Sequence, residues 1–326
     1  MLDRVSRTCA HSIRYLAKPI APIVTRAYLL CRVADTIEDS PSERLTLPRK
    51  QELFHRLAAA LSDSTTLEGW RDVFENPLSA DEELVNQVPD LVAEFREIDP
   101  EFQACIVPWV VEMCEGMAEH VNNWSLGGAS ASGPETLEDL ERYCYYVAGT
   151  VGLMLTEIFA ANGDFKQRAD ANRHEIAKRF GLGLQLTNVA RDAWFDLQEG
   201  RWFIPRAVCE RHQVTRENFF QTDNFARAKS ALLELVERAE GHLTAAHAYV
   251  RSLKRRRYHT RLFCLAPMNL AAATLRNLRR DQDYPRAGHR SKITRSELGR
   301  VVRASRMFAF TNGLSYRHTL SLMRVD

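Results

Sequence analysis

Apolar residues recur along this chain every three to four positions, and strict two-residue alternation is scarce, so the pattern predicts helices and gives little support to strands. Helices are predicted over 22–39, entered through Pro19 and Pro22, and over 49–61 and 81–98. A long apolar helix is predicted over 101–124, with Pro108 as a candidate kink. Glycine and serine crowd the segment from Gly127 to Pro134, which marks a loop. Beyond it, Thr136-Leu137-Glu138-Asp139 resembles a capping box, so a helix should begin near Thr136 and run through the small-residue segment Val147 to Gly152. Further helices are predicted over 170–197, 223–253, 258–282 and 294–316, with a break from Asp283 to His289. With no internal repeat, low-complexity tract or domain linker, the pattern describes one all-α domain over 1–326.

Composition narrows the function. Hydrophobic residues make up 45% of the chain and charged residues 26%, enough for a large core under a charged surface. A formal net charge of +2 argues against a general nucleic-acid coat. The 7 cysteines include no C-x-x-C pair and no His/Cys cluster, which speaks against a zinc site or a disulfide framework and for a reducing compartment. The N-terminus lacks the apolar run of a signal peptide. No stretch reaches the roughly 18 uninterrupted apolar residues of a membrane span; the nearest, Val147 to Ala161, contains Thr150, Thr156 and Glu157. The expected location is cytoplasmic, with peripheral membrane contact if the substrate is a lipid. The basic run Lys254-Arg255-Arg256-Arg257, with Arg261 beyond it, is either a solvated face or an attractor of anionic headgroups.

Two groups of carboxylates stand out. Asp35, Glu38 and Asp39 occupy positions i, i+3 and i+4 of a predicted helix and so share one face, where like charges repel. Their flanks, Ala27-Tyr28-Leu29-Leu30-Cys31 and Val33-Ala34, are apolar, so this helix should be largely buried and its carboxylates should need partners. Gln185, Asn188, Asp192 and Asp196 follow spacings of three, four and four, and fall on one face of another helix. Each group alone fits a solvated polar stripe. Together they suggest opposed sites for hard cations, because Mg²⁺ takes oxygen ligands and typically shares one or two carboxylates with substrate phosphates. Diphosphate held between them would become a leaving group, and no nucleophilic side chain would be needed.

These segments resemble the squalene/phytoene synthase family. Tyr28 to Asp39 matches its first aspartate-rich motif, Y-L-x-x-R-x-x-D-T-x-E-D. Tyr143 to Gly152 matches Y-C-x-Y-V-A-G-x-V-G, Leu184 to Asp196 matches L-Q-x-T-N-x-x-R-D-x-x-x-D, and Gly200 to Pro205 matches G-R-x-x-x-P. Ser6-Arg7-Thr8 stands where the family has S-R/K-S; Leu262 to Pro267 and Ser291 to Arg295 resemble two later segments of its squalene-forming members. The resemblance implies the class I isoprenoid synthase fold, all-helical around a central cavity. It also implies head-to-head joining of two farnesyl diphosphates through presqualene diphosphate, then reduction by NADPH to squalene.

The same resemblance assigns roles by position. Asp35, Glu38, Asp39, Asn188, Asp192 and Asp196 would hold magnesium-diphosphate, with Gln185 supporting the second group. Ser6, Arg7, Arg32, Arg191 and Arg201 would bind the diphosphates. Tyr143 would sit near the carbocation and assist proton removal. Phe263, Lys292 and Arg295 would meet NADPH, the last two on a mobile loop, and Ala148, Gly149 and Gly152 would open a tunnel for a prenyl tail. Three positions depart from the family: Phe195 replaces an acidic residue and should weaken one metal contact, while Cys9 and Met268 bear on substrate fit and reduction. A non-reductive dehydrosqualene or phytoene synthase, and a non-catalytic prenyl-lipid binder, are the competing expectations.

Overall fold

The three-to-four periodicity becomes helix almost throughout the computed structural model, which describes residues 1–5, 11–62, 67–124, 133–167 and 172–324. In chain order the helices are α1 (Leu2–Val5), α2 (Ala21–Asp39), α3 (Leu47–Ser62), α4 (Ala80–Asn86), α5 (Val88–Arg96) and α6 (Pro100–Trp124). Then follow α7 (Leu137–Cys144), a π-helical turn (Tyr145–Gly149), α8 (Thr150–Ala161), α9 (Arg173–Gln198) and α10 (Arg206–Arg211). The chain closes with α11 (Phe225–Ser252), α12 (Tyr258–Arg280), α13 (Arg295–Phe308) and α14 (Gly313–Met323). Among the described residues there is no strand; an isolated bridge joins Phe165 and Leu253. The described cysteines are free thiols.

Most boundaries follow local chemistry. The capping box at α7 forms: the Asp139 N–H donates to Thr136 Oγ1 at 3.2 Å, and the Thr136 N–H donates to Asp139 Oδ2 at 3.0 Å. Pro108 sits inside α6. Two predicted helices are divided. The 81–98 segment parts at Gln87, because Pro89 in the first turn of α5 has no N–H to give and its ring would crowd the carbonyl one turn back. The 294–316 segment parts after Phe308, where the buried Arg261 takes the carbonyls of Ala309 and Thr311 that a continuing helix would use. Most of the 125–134 loop lies outside the described residues.

α9 lies along α11 and crosses the π-turn and α8, and α6 runs between α3 and α8. α2 packs on α6 and α4, and α13 and α14 cover α12. One contiguous apolar core joins Leu30, Val33 and Ile37 of α2 to Leu186 and Val189 of α9 and Leu232 and Leu235 of α11. By length and composition alone, Leu137–Ala161 could cross a membrane, with a mean hydropathy of 1.4. Here it is a core segment, packed against α6 and α9.

The small residues of that segment make close helix contacts. A Cβ on Gly152 would lie 2.6 Å from the Ala177 carbonyl oxygen, and one on Gly181 only 2.3 Å from that of Ala148. Gly149 and Gly152 therefore let α8 and the π-turn touch α9; they do not open a tunnel for a prenyl tail, which corrects that expectation. The basic run is corrected too. Lys254 Nζ donates to the Gly163 carbonyl at 2.7 Å, Arg257 Nη2 donates to that of Asn162 at 2.8 Å, and Arg261 is fully buried, which leaves Arg255 and Arg256 exposed.

These contacts predict opposite outcomes for two alanine substitutions within helices. Gly181→Ala meets backbone, which cannot move without separating α9 from the π-turn, and should lower stability by about 2 kcal/mol or more. Gly241→Ala, in α11, meets nothing within 4 Å and should raise stability by about 0.5–1 kcal/mol. Urea midpoints measured at one pH check both; a Gly181→Ala variant as stable as the parent would contradict the close crossing.

Candidate active site

The apolar stripe of α2 is buried in the core, and this turns Asp35, Glu38 and Asp39 along one wall at the helix's C-terminal end. Arg32 lies one turn earlier, its Nη1 3.8 Å from Asp35 Oδ2, while its Nε donates to Asp81 Oδ1 of α4 at 2.7 Å. Burial pushes the Asp35 carboxyl up to about 7; Arg32 opposes the rise, while Asp39 and Asp81 add to it. Glu38 rises to about 8, again chiefly through burial, with Asp39 and Asp35 repelling its charge and Arg201 relieving it.

The opposing wall is the C-terminal half of α9. The helix ends on Gly200, whose φ of +79° suits a residue without a side chain. The Gly200 N–H returns to the Leu197 carbonyl at 3.1 Å and the Arg201 N–H to that of Asp196 at 2.7 Å, a Schellman ending. That reversal brings the Arg201 side chain back over the helix. Its Nη2 lies 3.1 Å from Asp196 Oδ1 and its Nη1 3.0 Å from Asp39 Oδ1, so one guanidinium joins the two acidic stripes. Burial raises Asp196 to about 6 despite Arg201. One turn back, Asp192 is paired with its neighbour Arg191. The third stripe position is a hydrogen bond of 3.4 Å from Asn188 Nδ2 to Gln185 Oε1.

Tyr143 is 5% exposed and lies between the walls. Its ring stacks on Phe203 at 5.0 Å between centroids, and its hydroxyl donates to Glu38 Oε2 at 3.3 Å. Burial, then Glu38 and Asp39, hold the phenol well above its ordinary range, so it stays protonated. The π-turn follows directly, with the Thr150 N–H reaching Tyr145; such turns gather at functional sites. Tyr145 and Tyr146 turn elsewhere: Tyr145 donates to Glu112 Oε1 at 2.6 Å, and Tyr146 fills the space beside Gly116.

Four residues enter the site that sequence reasoning missed. Asp81 partners Arg32, and Phe203 supports Tyr143. Lys50, buried on α3, donates to the Glu38 carbonyl at 2.7 Å, and burial lowers its ammonium's pKa. Arg290 lies 3.8 Å above the centre of the Phe195 ring, with its Nε 3.2 Å from Asp192 Oδ1. Phe195, expected from the resemblance to be acidic, is instead the platform for the Arg290 cation. The signal was present for Phe203 and Arg290 only as proximity to motifs, and absent for Lys50 and Asp81.

Arg290 also corrects the mobile-loop expectation. Its segment is anchored at Tyr284, which is buried and donates its hydroxyl to the Ala190 carbonyl of α9 at 2.7 Å. His289 is 2.7 Å from Asp281, and Ser291 is buried and hydrogen-bonded to Asp281. Lys292 and Arg295 follow, both exposed. Phe263 is half-buried on α12, edge-on to Phe159 at 5.7 Å. Ser6 and Arg7, as well as Cys9, lie outside the described residues; Met268 is buried in the core.

Among the described residues, no three His, Cys, Asp or Glu side chains are grouped so as to hold a metal ion by themselves. The donors nevertheless suit a hard cation. They are all oxygens, and three of them are carboxylates whose charged form lacks compensation, as their raised pKa values show. Two half-sites of this kind need oxygens from a ligand to complete them.

A family model described as Squalene/phytoene synthase matches residues 2–297. The squalene synthase of Eremothecium gossypii is 30% identical over 282 residues, which is 84% of this chain and 60% of that protein. The squalene synthase of Mus musculus is 31% identical over 274 residues, 84% of this chain and 61% of that one. This chain therefore spans about three-fifths of the length of such relatives. TcSQS, solved in complex with the ligand BPH1237, superposes with a TM-score of 0.82 at 25% identity, over 99% of this chain and 89% of that one. A dehydrosqualene synthase in complex with a ligand gives 0.64 at 22% identity, over 93% and 92%, and bears on the fold alone. The helical isoprenoid synthase fold expected from the motifs is the fold of these neighbours.

The raised carboxylates set a pH dependence for the cation-free protein. Each binds its proton more tightly when folded than when unfolded, where the value is about 4. Their stabilising contribution is complete below that value and is lost as pH rises through about 6 for Asp196, about 7 for Asp35 and about 8 for Glu38. The melting temperature without Mg²⁺ should therefore fall as pH rises across this window. Glu38→Gln, which carries no charge at any pH, should flatten the fall. An identical slope in parent and variant would count against a strained Glu38.

Proposed function

Because the chain belongs to the squalene/phytoene synthase family, we propose that it works as one catalytic domain that joins two farnesyl diphosphates head to head. The product of that step is presqualene diphosphate, and reduction with NADPH gives squalene. The observation that carries the reading is the pair of carboxylate stripes on α2 and α9, brought within reach of a single guanidinium, Arg201.

Asp35, Glu38 and Asp39 on one side, and Asn188, Asp192 and Asp196 on the other, would hold Mg²⁺. Bound there with diphosphate, Mg²⁺ would supply charge neutralisation at the departing oxygens. Arg32, Arg191, Arg201 and Arg290 now neutralise the carboxylates, and each is placed to turn to diphosphate oxygens, for which the guanidinium fork is suited. Arg7 of the Ser6-Arg7 pair would add to them. Tyr143 stays neutral, so its hydroxyl serves to orient and pass on the proton released when the cyclopropane closes, and the diphosphate receives it. The stacked Phe203 offers an aromatic face beside that hydroxyl, where a carbocation is stabilised. Lys292 and Arg295, exposed on the segment anchored by Tyr284, fit the phosphates of a dinucleotide by charge, with Phe263 as the apolar contact. NADPH would supply the hydride. A prenyl substrate and a hydrocarbon product would favour peripheral contact with a membrane surface.

Incubation with farnesyl diphosphate and Mg²⁺, with and without NADPH, followed by mass spectrometry, tests the reading. Squalene should form only with NADPH. The same hydrocarbon under both conditions would make the enzyme a non-reductive synthase, and no diphosphate release at all would make it a binder. Asp35→Ala and Asp192→Ala should each lower diphosphate release by roughly a thousandfold while leaving the circular dichroism unchanged. Tyr143→Phe should slow product formation at least about tenfold more than Tyr146→Phe, since both keep the ring and only the first removes a hydroxyl facing Glu38.

A further inference from the structure

The elbow between α13 and α14 presents large apolar side chains to solvent: Met307 is 65% exposed, Phe310 58% and Leu314 50%. These three fall within eight consecutive positions. Exposed apolar residues scattered singly need no explanation, but a contiguous group rimmed by polar residues marks a contact surface.

The elbow is held in place. Arg261, 0% exposed, donates from Nε to the Ala309 carbonyl at 2.5 Å and from Nη2 to Asn312 Oδ1 at 2.8 Å. Its Nη1 reaches back to the Val250 carbonyl at the end of α11, at 2.6 Å. One buried cation thus joins the elbow to the end of α11 and the start of α12. Tyr258 completes the link, stacked on Phe310 at 4.4 Å between centroids and donating to the Arg306 carbonyl at 3.3 Å. The apolar tip is therefore preorganised beside the basic run, where Arg255 and Arg256 are exposed, as is Arg306 on the elbow itself.

The charge around the tip has one sign. No acidic residue occurs from 241 to 280 or from 298 to 325. Pairing this face with a second copy of itself would set arginine against arginine. An anionic bilayer offers what the face lacks on both counts: apolar depth for Met307, Phe310 and Leu314, and negative headgroups for the arginines.

We propose that the α13–α14 elbow is a docking surface for anionic lipid membranes, with Met307, Phe310 and Leu314 entering the headgroup boundary and Arg255, Arg256 and Arg306 meeting the headgroups. The proposal deepens, and rests on, the placement of the protein at a membrane surface; vesicle binding, its direct readout, requires no prenyl substrate.

Co-sedimentation of the full chain with vesicles of phosphatidylcholine alone, or mixed with phosphatidylglycerol, provides the measurement. Binding should be confined largely to the anionic vesicles and weaken with salt. Met307→Ser/Phe310→Ser/Leu314→Ser and Arg255→Glu/Arg256→Glu should each lower the partition coefficient at least about tenfold. Both should keep the parent's circular dichroism and its turnover of detergent-dispersed farnesyl diphosphate, so a wrong substrate assignment and a wrong docking surface give different results. Phe310→Trp gives a readout in an otherwise unaltered chain: its additional emission should shift to the blue on anionic vesicles. Parent binding no tighter to anionic than to neutral vesicles, variants that bind like the parent, or an unshifted Phe310→Trp emission would overturn the proposal. So would a concentration-dependent dimer abolished by the triple serine variant, which would make the elbow a protein interface.

Discussion

Burial of two rows of carboxylates, each with like charges crowded along its own wall, is the constraint around which this site is arranged. α2 and α9 each bring acidic side chains to a partly buried wall, and Arg201 touches both rows, Asp39 on one and Asp196 on the other. A carboxylate removed from water costs several kcal/mol unless it is paired or protonated. Here the compensation is incomplete: Glu38 and Asp35 remain raised although arginines lie nearby. The cation-free site is thus under electrostatic strain, which a cation shared with diphosphate would relieve. This also accounts for the absence of a three-carboxylate cage among the described residues. A preformed cage would hold an ion without substrate, whereas two half-sites would favour binding ion and diphosphate together, as the proposed function requires.

The rest of the helical frame sets the separation of those walls. α9 is drawn close to the π-turn because Gly181 admits the Ala148 carbonyl, and Gly152 admits that of Ala177. The same segment carries Tyr143 on its preceding turn, so the close crossing fixes where the phenol stands relative to Glu38. The ending of α9 is equally specific: Gly200 reverses the chain, and Arg201 owes its position over Asp196 to that reversal. Packing residues with no part in the chemistry thereby determine its geometry.

How much of this was legible depended on sequence distance. Asp35, Glu38 and Asp39 share a helical turn, as do Asp192 and Asp196, and periodicity alone puts each group on one face. The contacts between groups could not be read this way. Lys50 looks like any helix lysine until folding buries it under the end of α2, and Asp81 is 49 positions from the Arg32 it pairs with. The small residues Gly149 and Gly152 suggested an opening and proved to be a contact, since sequence does not say what faces a glycine. The break from Asp283 to His289 was correctly read as non-helical, but its composition suggested mobility. Burial of Tyr284 against α9 overrides that, and it is through this anchored segment that Arg290 reaches Asp192.

Two arginines, Arg261 buried and Arg201 half-buried, show why the same side chain serves two purposes. Arg261 is surrounded by neutral acceptors: backbone carbonyls of Val250, Leu253, Ala309 and Thr311, and the Asn312 amide. None of these gains from releasing it, and removing the guanidinium would leave several buried carbonyls unpaired, so the contact is permanent and acts as a fastening. Arg201 is held instead by carboxylates, which a cation would satisfy equally well. It therefore sits between exchangeable partners, and under the proposed function a diphosphate arriving with its metal would offer new ones to both sides at once. The chemical identity of the acceptors, more than the depth of burial, separates the arginine that holds the fold from the arginine that serves the site.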